Sequence, residues 1–243
     1  MGARGTGPGR RRGLNRGKVI EAAVEVIERD GLDAFSLRRL ADELGVEAMS
    51  LYNHVPNKDA LLTGVAEALL AEIDYSAAAT GTWQERLRAH AAAFRSAAQR
   101  HPRAFPLVLT RPTQSAAALG IIRSALAILD ELGLEPKEQV HVLRSCTAFI
   151  VGTIMRELGS AITLGTIAQD VVEQRVVEIG AEDDPILGRA APHLAVSDHD
   201  VEFSYGIELL ITALAARTGM SRGGGAVAPS ARFRTRAVTE AQR

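Results

Sequence analysis

Apolar residues recur at helical spacing along most of the chain. Ile20, Ala23, Val24 and Ile27 fall at i, i+3, i+4 and i+7, which predicts one buried face on a helix over residues 16–30. Gly31 stops it. Ser36 stands in the N-cap position ahead of Leu37, Leu40, Ala41 and Leu44, the apolar face of a short helix that Gly45 ends. A third helix is expected over 47–54, because Pro56 bars continuation. Asn57 caps a fourth over 58–74, with Leu61, Val65, Ala68 and Leu69 among its apolar positions. Residues 76–81 read as a linker. Thr82-Trp83-Gln84-Glu85 is a capping box that opens a helix to about residue 99. Further helices are expected at 114–131, 136–157, 167–179, 184–193 and 198–217, with Pro136 in the first position of its helix. No period-two segment bounded by turn residues occurs, so the expected fold class is all-α.

The stretch 36–54 is the most informative. Two short helices meet there across a three-residue turn. Ala41 is small where the helices cross, Gly45 supplies the positive φ of a sharp turn, and Leu51 packs the second helix onto the first. This spacing is the helix-turn-helix pattern, whose second helix lies in the major groove of DNA. On that helix Ala48, Met49, Asn53 and the edge of Ser50 fall away from Leu51 and Val55. Ala48 and Met49 can touch thymine methyls, and Asn53 can pair bidentately with adenine. Tyr52 and His54 can donate to phosphates, as can Arg38 near the start of the second helix and Lys58 at the start of the fourth. The helix N-termini at Ser36 and Asn57 add backbone amides. The plainer readings are Tyr52 as a core aromatic and Arg38 and Arg39 as solvated charges.

The run from Gly31 to Val46, followed by Ser50-Leu51-Tyr52-Asn53-His54-Val55 and Asn57-Lys58-Asp59-Ala60-Leu61-Leu62, resembles the N-terminal domain of TetR-family transcriptional repressors. Trp83-Gln84, Phe94-Arg95, Thr110-Arg111-Pro112-Thr113 and the later Phe203-x-Tyr205-Gly206-x-Glu208-Leu209 resemble the core domain of the family's tetracycline-repressor branch. The resemblance implies a helix-turn-helix domain joined by a long helix to a larger ligand-binding and dimerisation domain. It implies DNA contacts through Arg38, Ala48, Met49, Ser50, Tyr52, Asn53, His54 and Lys58. Leu37 departs from the branch, which has threonine there and makes a phosphate contact with it. It also implies a homodimer in which helices 136–157 and 198–217 form a four-helix bundle with their symmetry mates. The second of these is apolar nearly all round, more than one buried face needs.

In that branch a magnesium–drug chelate sits in the core. Of the residues that hold it, only Phe94 and Thr110 agree here. The metal-binding histidine falls on Leu107, the glutamine and asparagine that grip the drug fall on Arg123 and His90, and the histidine late in the fourth helix falls on Asp74. Neither tetracycline nor a bound metal is expected, and no cofactor. The expected pocket draws on His90, Phe94, Leu107, Thr110, Ile122, Arg123, Leu126 and Phe149, and suits an apolar ligand carrying a polar or anionic group. The plainer readings are His90 as a satisfied core histidine and Arg123 as a surface charge. Cys146 reads as a small buried hydrophobe.

Composition narrows the class. The 243 residues are 47% apolar, which excludes a disordered chain, and the single cysteine excludes a disulfide framework and fits a reducing cytosol. No apolar run is long enough to cross a bilayer, so no membrane role is expected. The formal net charge of −1 divides unevenly. Residues 1–18 carry six basic groups and no acid, whereas 19–60 carry four basic groups against nine acids. A basic arm ahead of an acidic reading head is expected to add affinity for phosphate. The domains expected are a disordered basic arm (1–15), a helix-turn-helix DNA-binding domain (16–62), a ligand-binding and dimerisation domain (63–218) and a disordered basic tail (219–243). No phosphate-binding glycine loop, His-x-x-x-His spacing or Gly-x-Ser-x-Gly elbow occurs, so an enzyme is not expected. The expected function is a repressor that binds a palindromic operator as a homodimer and is released by a small-molecule inducer. The alternative keeps the same DNA-binding fold without a small-molecule ligand, as a constitutive or partner-controlled regulator or activator.

Overall fold

The computed structural model describes residues 14–111, 115–159, 169–181 and 184–221. Most of both expected basic tails, together with Pro112 and Thr113, lies outside these residues. Eleven α-helices and one short 3₁₀ turn, Ser76–Ala78, make up the described part, with no strand among them. The helices are α1 (Arg16–Asp30), α2 (Leu37–Leu44), α3 (Ala48–Leu51), α4 (Lys58–Ala71), α5 (Trp83–Arg100), α6 (Pro106–Thr110), α7 (Ala116–Asp130), α8 (Pro136–Glu157), α9 (Gln169–Gly180), α10 (Pro185–Leu194) and α11 (His199–Ser221). None of the described helices is long and apolar enough to cross a membrane.

The caps explain most boundaries. Asn15, Ser36, Asn57 and Ser115 each accept a backbone N–H three residues on, satisfying a donor the helix cannot. At α5, Thr82 and Glu85 cap each other reciprocally. Gly45 ends α2 in the left-handed region, φ 62°, a conformation costly for a residue with a Cβ.

Four boundaries differ from expectation. The third helix holds α-helical geometry only over Ala48–Leu51, and Tyr52 to His54 continue as a tighter turn. His54 N–H and Val55 N–H both reach the Leu51 carbonyl at 2.9 Å, tucking Val55 into the core just before Pro56. The fourth helix stops at Ala71, because Asp74 turns back to accept the Ser76 N–H at 2.8 Å and starts a new local motif. The 76–81 stretch contains the short 3₁₀ turn. Helix α6 was hidden in the sequence by its five-residue length, too short for a periodic pattern.

Helices α1 to α3 and most of α4 enclose one core, in which Val26, Ile27, Leu40, Leu51, Leu61 and Val65 are fully buried. Each such aliphatic side chain contributes about 1.5–3 kcal/mol on burial. That core continues into Ala104 and Leu107 beside α6, so head and body share packing. α4 packs against α1, α6 and α7, and α8 packs against α7, α5 and α11. Helices α9 and α10 pair as a hairpin. At the α8–α11 crossing, Gly206 leaves room for the Phe149 ring where a Cβ would otherwise stand.

Candidate nucleic-acid interface and core cavity

The small residue, the glycine and the aliphatic anchor do what steric reasoning asks of them. Ala41 is buried at the α2–α3 crossing, and the Val46 N–H closes the turn onto the Ala41 carbonyl at 3.0 Å. Leu51 and Val55 are buried, so they set which face of α3 points outward. Met49 is 72% exposed and Tyr52 47% exposed, both high for large apolar side chains. Asn53 and Arg38 are exposed beside them, and Arg38 makes no hydrogen bond or ion pair to a described residue. Ser50 and His54 are half-buried. Ala48 packs against the head's core rather than standing clear of it. Lys58 donates to the Phe35 carbonyl at 2.8 Å and lies 5.6 Å from the Phe35 ring centre, so its ammonium is held on the head itself.

Local acidity is partly neutralised. Arg39 pairs with Asp30 at 3.1 Å, and Arg29 bridges Asp30 and Glu43 at 3.1 and 2.9 Å. The Arg29 hydrogen bonds hold both carboxyls below their ordinary range. Arg39 is therefore a paired surface charge, whereas Arg38 remains available.

Inside the body, α5, α7, α8 and α11 enclose an apolar cavity of about 730 Å³. Of the residues expected in a pocket, His90, Phe94, Ile122 and Leu126 line it. Leu107, Thr110, Arg123 and Phe149 do not. Leu107 is buried in the head's core, and Thr110 is exposed with its hydroxyl spent on the Pro106 carbonyl at 2.7 Å. Arg123 points to solvent from the outer face of α7, and Phe149 packs against Phe203 at 6.2 Å between ring centres. A residue-by-residue carry-over could not anticipate these shifts, because the head's core draws Leu107 away and the space at Gly206 draws Phe149 to the α8–α11 crossing. The α8 contribution was missed: Leu143, Arg144, Thr147, Ala148 and Val151 line the cavity at helical spacing. The sequence shows that spacing too, but an apolar face on α8 serves a dimer contact or a cavity wall equally well.

His90 is a hydrogen-bonded polar group in the cavity wall. Its Nε2 lies 2.9 Å from Ser124 Oγ, and Ser124 can donate onward to the Ile121 carbonyl at 3.0 Å. With that donation made, Ser124 accepts from a protonated Nε2 of the neutral ring. Burial pushes the His90 pKa below the ordinary value, only partly offset by a hydrogen bond to the Ile121 backbone, so the ring is uncharged at neutral pH. Tyr75 stacks on it at 4.4 Å, with its buried hydroxyl unpartnered among the described residues. Burial raises the Tyr75 pKa. Cys146 also lines the cavity, and burial raises its thiol pKa, so it is not a reactive thiolate.

A second cleft, about 640 Å³ and far more polar, lies along the other side of α5. Its buried cation is already matched: Arg95 pairs with Glu157 at 2.8 Å and Asp200 at 2.7 Å and stacks over Phe203 at 4.8 Å. Those contacts tie α5, α8 and α11 together and read as structural.

Head and cavity are joined mechanically. Phe94 lines the cavity and packs in one cluster with Leu70 at the far end of α4 and Ile73 just beyond it. Arg111, just after α6, reaches back to Asp59 at 2.7 Å and Thr63 at 3.3 Å on the first turns of α4.

Comparison with known proteins finds two family matches along the chain. Residues 19–65 match the family described as bacterial regulatory proteins, tetR family, and residues 76–218 match the tetracyclin repressor-like C-terminal domain. The class D tetracycline repressor of Escherichia coli is 32% identical over 203 residues, covering 82% of this chain and 88% of that protein. Among solved structures, TetR-Q116A of Acinetobacter baumannii in complex with minocycline superposes with a TM-score of 0.61 at 27% identity, covering 85% of this chain and 99% of that one. The Streptomyces coelicolor TetR family protein ActR in complex with actinorhodin gives a TM-score of 0.74 at 24% identity, with the same two coverages.

Proposed function

The chain belongs to the TetR family of bacterial transcriptional regulators, and from that premise we propose that it is a dimeric repressor released from DNA by a small molecule. It is a DNA-binding regulator and not an enzyme. The observation that carries the proposal is Phe94, which lines the cavity while packing on the end of the same α4 whose first turn belongs to the reading head. A ligand that displaces Phe94 pushes on α4, and α4 changes the separation of the two recognition helices in a dimer. Such a ligand must bind the DNA-free state more tightly by a few kcal/mol to switch occupancy.

The reading head we assign to Arg38, Met49, Tyr52 and Asn53, with Ser50 and His54 at its edge. Ala48 and Lys58 serve the head's own packing first, and contact DNA only where the duplex approaches them. The dimer surface we assign to α8 and α11, on which Val201, Tyr205 and Leu209 form an exposed stripe at i, i+4 and i+8. Two heads on a two-fold axis read half-sites about 34–36 Å apart. The ligand is apolar with a polar group facing His90. A tetracycline–magnesium chelate fits poorly, because Leu107 offers no donor and is sealed among apolar side chains.

Selection from a random duplex DNA pool tests this reading. The expected product is an inverted repeat whose half-site centres are one helical turn apart. Enrichment of a single unrepeated motif, or of none, would overturn it.

A further inference from the structure

We infer that Arg144 reads an anionic group on the molecule the cavity takes, which makes the ligand class an amphipathic anion: a hydrophobic ring or chain system ending in a carboxylate or sulfonate. The inference rests on the cavity being a ligand site. Its own support is the charge inventory of the wall. Among the described residues, no aspartate or glutamate lines the cavity, and Arg144 is the one lysine or arginine that does. Arg144 is exposed, and it makes no hydrogen bond or ion pair to a described residue. It therefore stands at the rim with its donors free.

The rest of the wall fixes how a ligand lies. The interior is almost wholly apolar, so a charged end cannot be buried there without a large desolvation cost. His90, being neutral and tied to Ser124, cannot balance a charge. The anionic end must then stay at the rim, where the planar guanidinium offers paired donors matched to a carboxylate or sulfonate. Thr147, one turn along α8, gives its hydroxyl proton to the Leu143 carbonyl at 2.8 Å and faces a ligand as an acceptor only. A cationic ligand would meet an uncompensated guanidinium, and a neutral acceptor would gain a hydrogen bond from it without the ion-pair attraction.

Two fluorescent probes sharing one ring system separate the terms: anilinonaphthalene sulfonate, which is anionic, and N-phenyl-naphthylamine, which lacks the sulfonate. Titrated into the full-length protein, the sulfonate is expected to bind about tenfold tighter than the neutral dye. Arg144→Met is expected to abolish that preference and leave the neutral dye's affinity unchanged, and Arg144→Lys to restore part of it. Leu126→Trp, which fills the cavity, is expected to weaken both dyes. Unaltered sulfonate affinity in Arg144→Met would overturn the role given to Arg144. If neither dye binds, or both ignore Leu126→Trp, it is the reading of the cavity as a ligand site that falls, and this inference with it.

Discussion

Glu28 on the last turn of α1 accepts the backbone N–H of Ala104 at 2.8 Å, across 76 residues of chain. The clamp is reciprocal: the Arg103 guanidinium donates to the Arg29 carbonyl at 2.6 Å, one of the carbonyls that a helix end leaves unmatched. The segment between α5 and α6 is thus fastened to the reading head at α1, while Arg111 fastens the other end of α6 to α4. Glu28→Ala strands the partly buried Ala104 N–H. An unsatisfied buried donor costs about 1–3 kcal/mol, so urea unfolding should show a loss in that range. Glu28→Gln, which keeps one acceptor oxygen, should lose less. Equal stability of Glu28→Ala and the wild type would show that the clamp holds nothing.

Tyr52 is exposed and Leu51 beside it is fully buried, so the two neighbours separate recognition from folding. Tyr52→Ala should lower affinity for the selected DNA about tenfold, roughly 1.4 kcal/mol, with the melting temperature and oligomeric state unchanged. A gel shift indistinguishable from wild type would remove Tyr52 from the interface. Leu51→Ala should instead destabilise the whole head by about 2–5 kcal/mol.

These two residues also indicate what was legible in advance. Periodicity, capping residues and Gly45 located α1, α2, α8 and the head's core, because each of these depends on a few neighbours in sequence. The cavity wall depends on neighbours far apart in the chain. Phe149 looked like a pocket residue and instead fills the space left by Gly206; Arg123 and Arg144 both sit on helices that touch the cavity, yet only Arg144 turns to it. Rotation of a helix by one position reverses such an assignment, and apolar helices such as α7 carry little polar contrast to fix that rotation.

The Gly206–Phe149 contact makes a prediction of its own. A Cβ at position 206 would overlap the Phe149 ring, so Gly206→Ala should cost about 1–3 kcal/mol despite alanine's better helix propensity. Phe149→Leu in the same chain should recover part of the loss, a non-additivity that a double-mutant cycle measures. Independent, additive effects would mean that the two helices do not meet there.

His90 gives stability a pH dependence with a definite sign. Burial lowers its pKa below the ordinary 6.5, so the unfolded chain binds a proton more readily than the folded one. Its contribution is complete above pH 6.5 and is lost as pH falls from there towards the lowered folded value. The slope in that window is at most about 1.4 kcal/mol per pH unit for one group. The shifted carboxyls Asp30, Glu43, Asp74, Glu85 and Glu208 titrate below this window, since their pKa values are lowered from ordinary values of 3.8 to 4.5. The carboxyls are thereby set aside, and the difference between wild type and His90→Gln in urea midpoints from pH 7 to about 5.5 separates His90 from the other five histidines. The wild type should lose stability on acidification, and His90→Gln, which does not titrate but can still bond Ser124, should give a flatter profile. Parallel profiles for the two proteins would show that His90 is not the buried neutral ring the cavity requires, and would leave the polar end of any ligand without its partner.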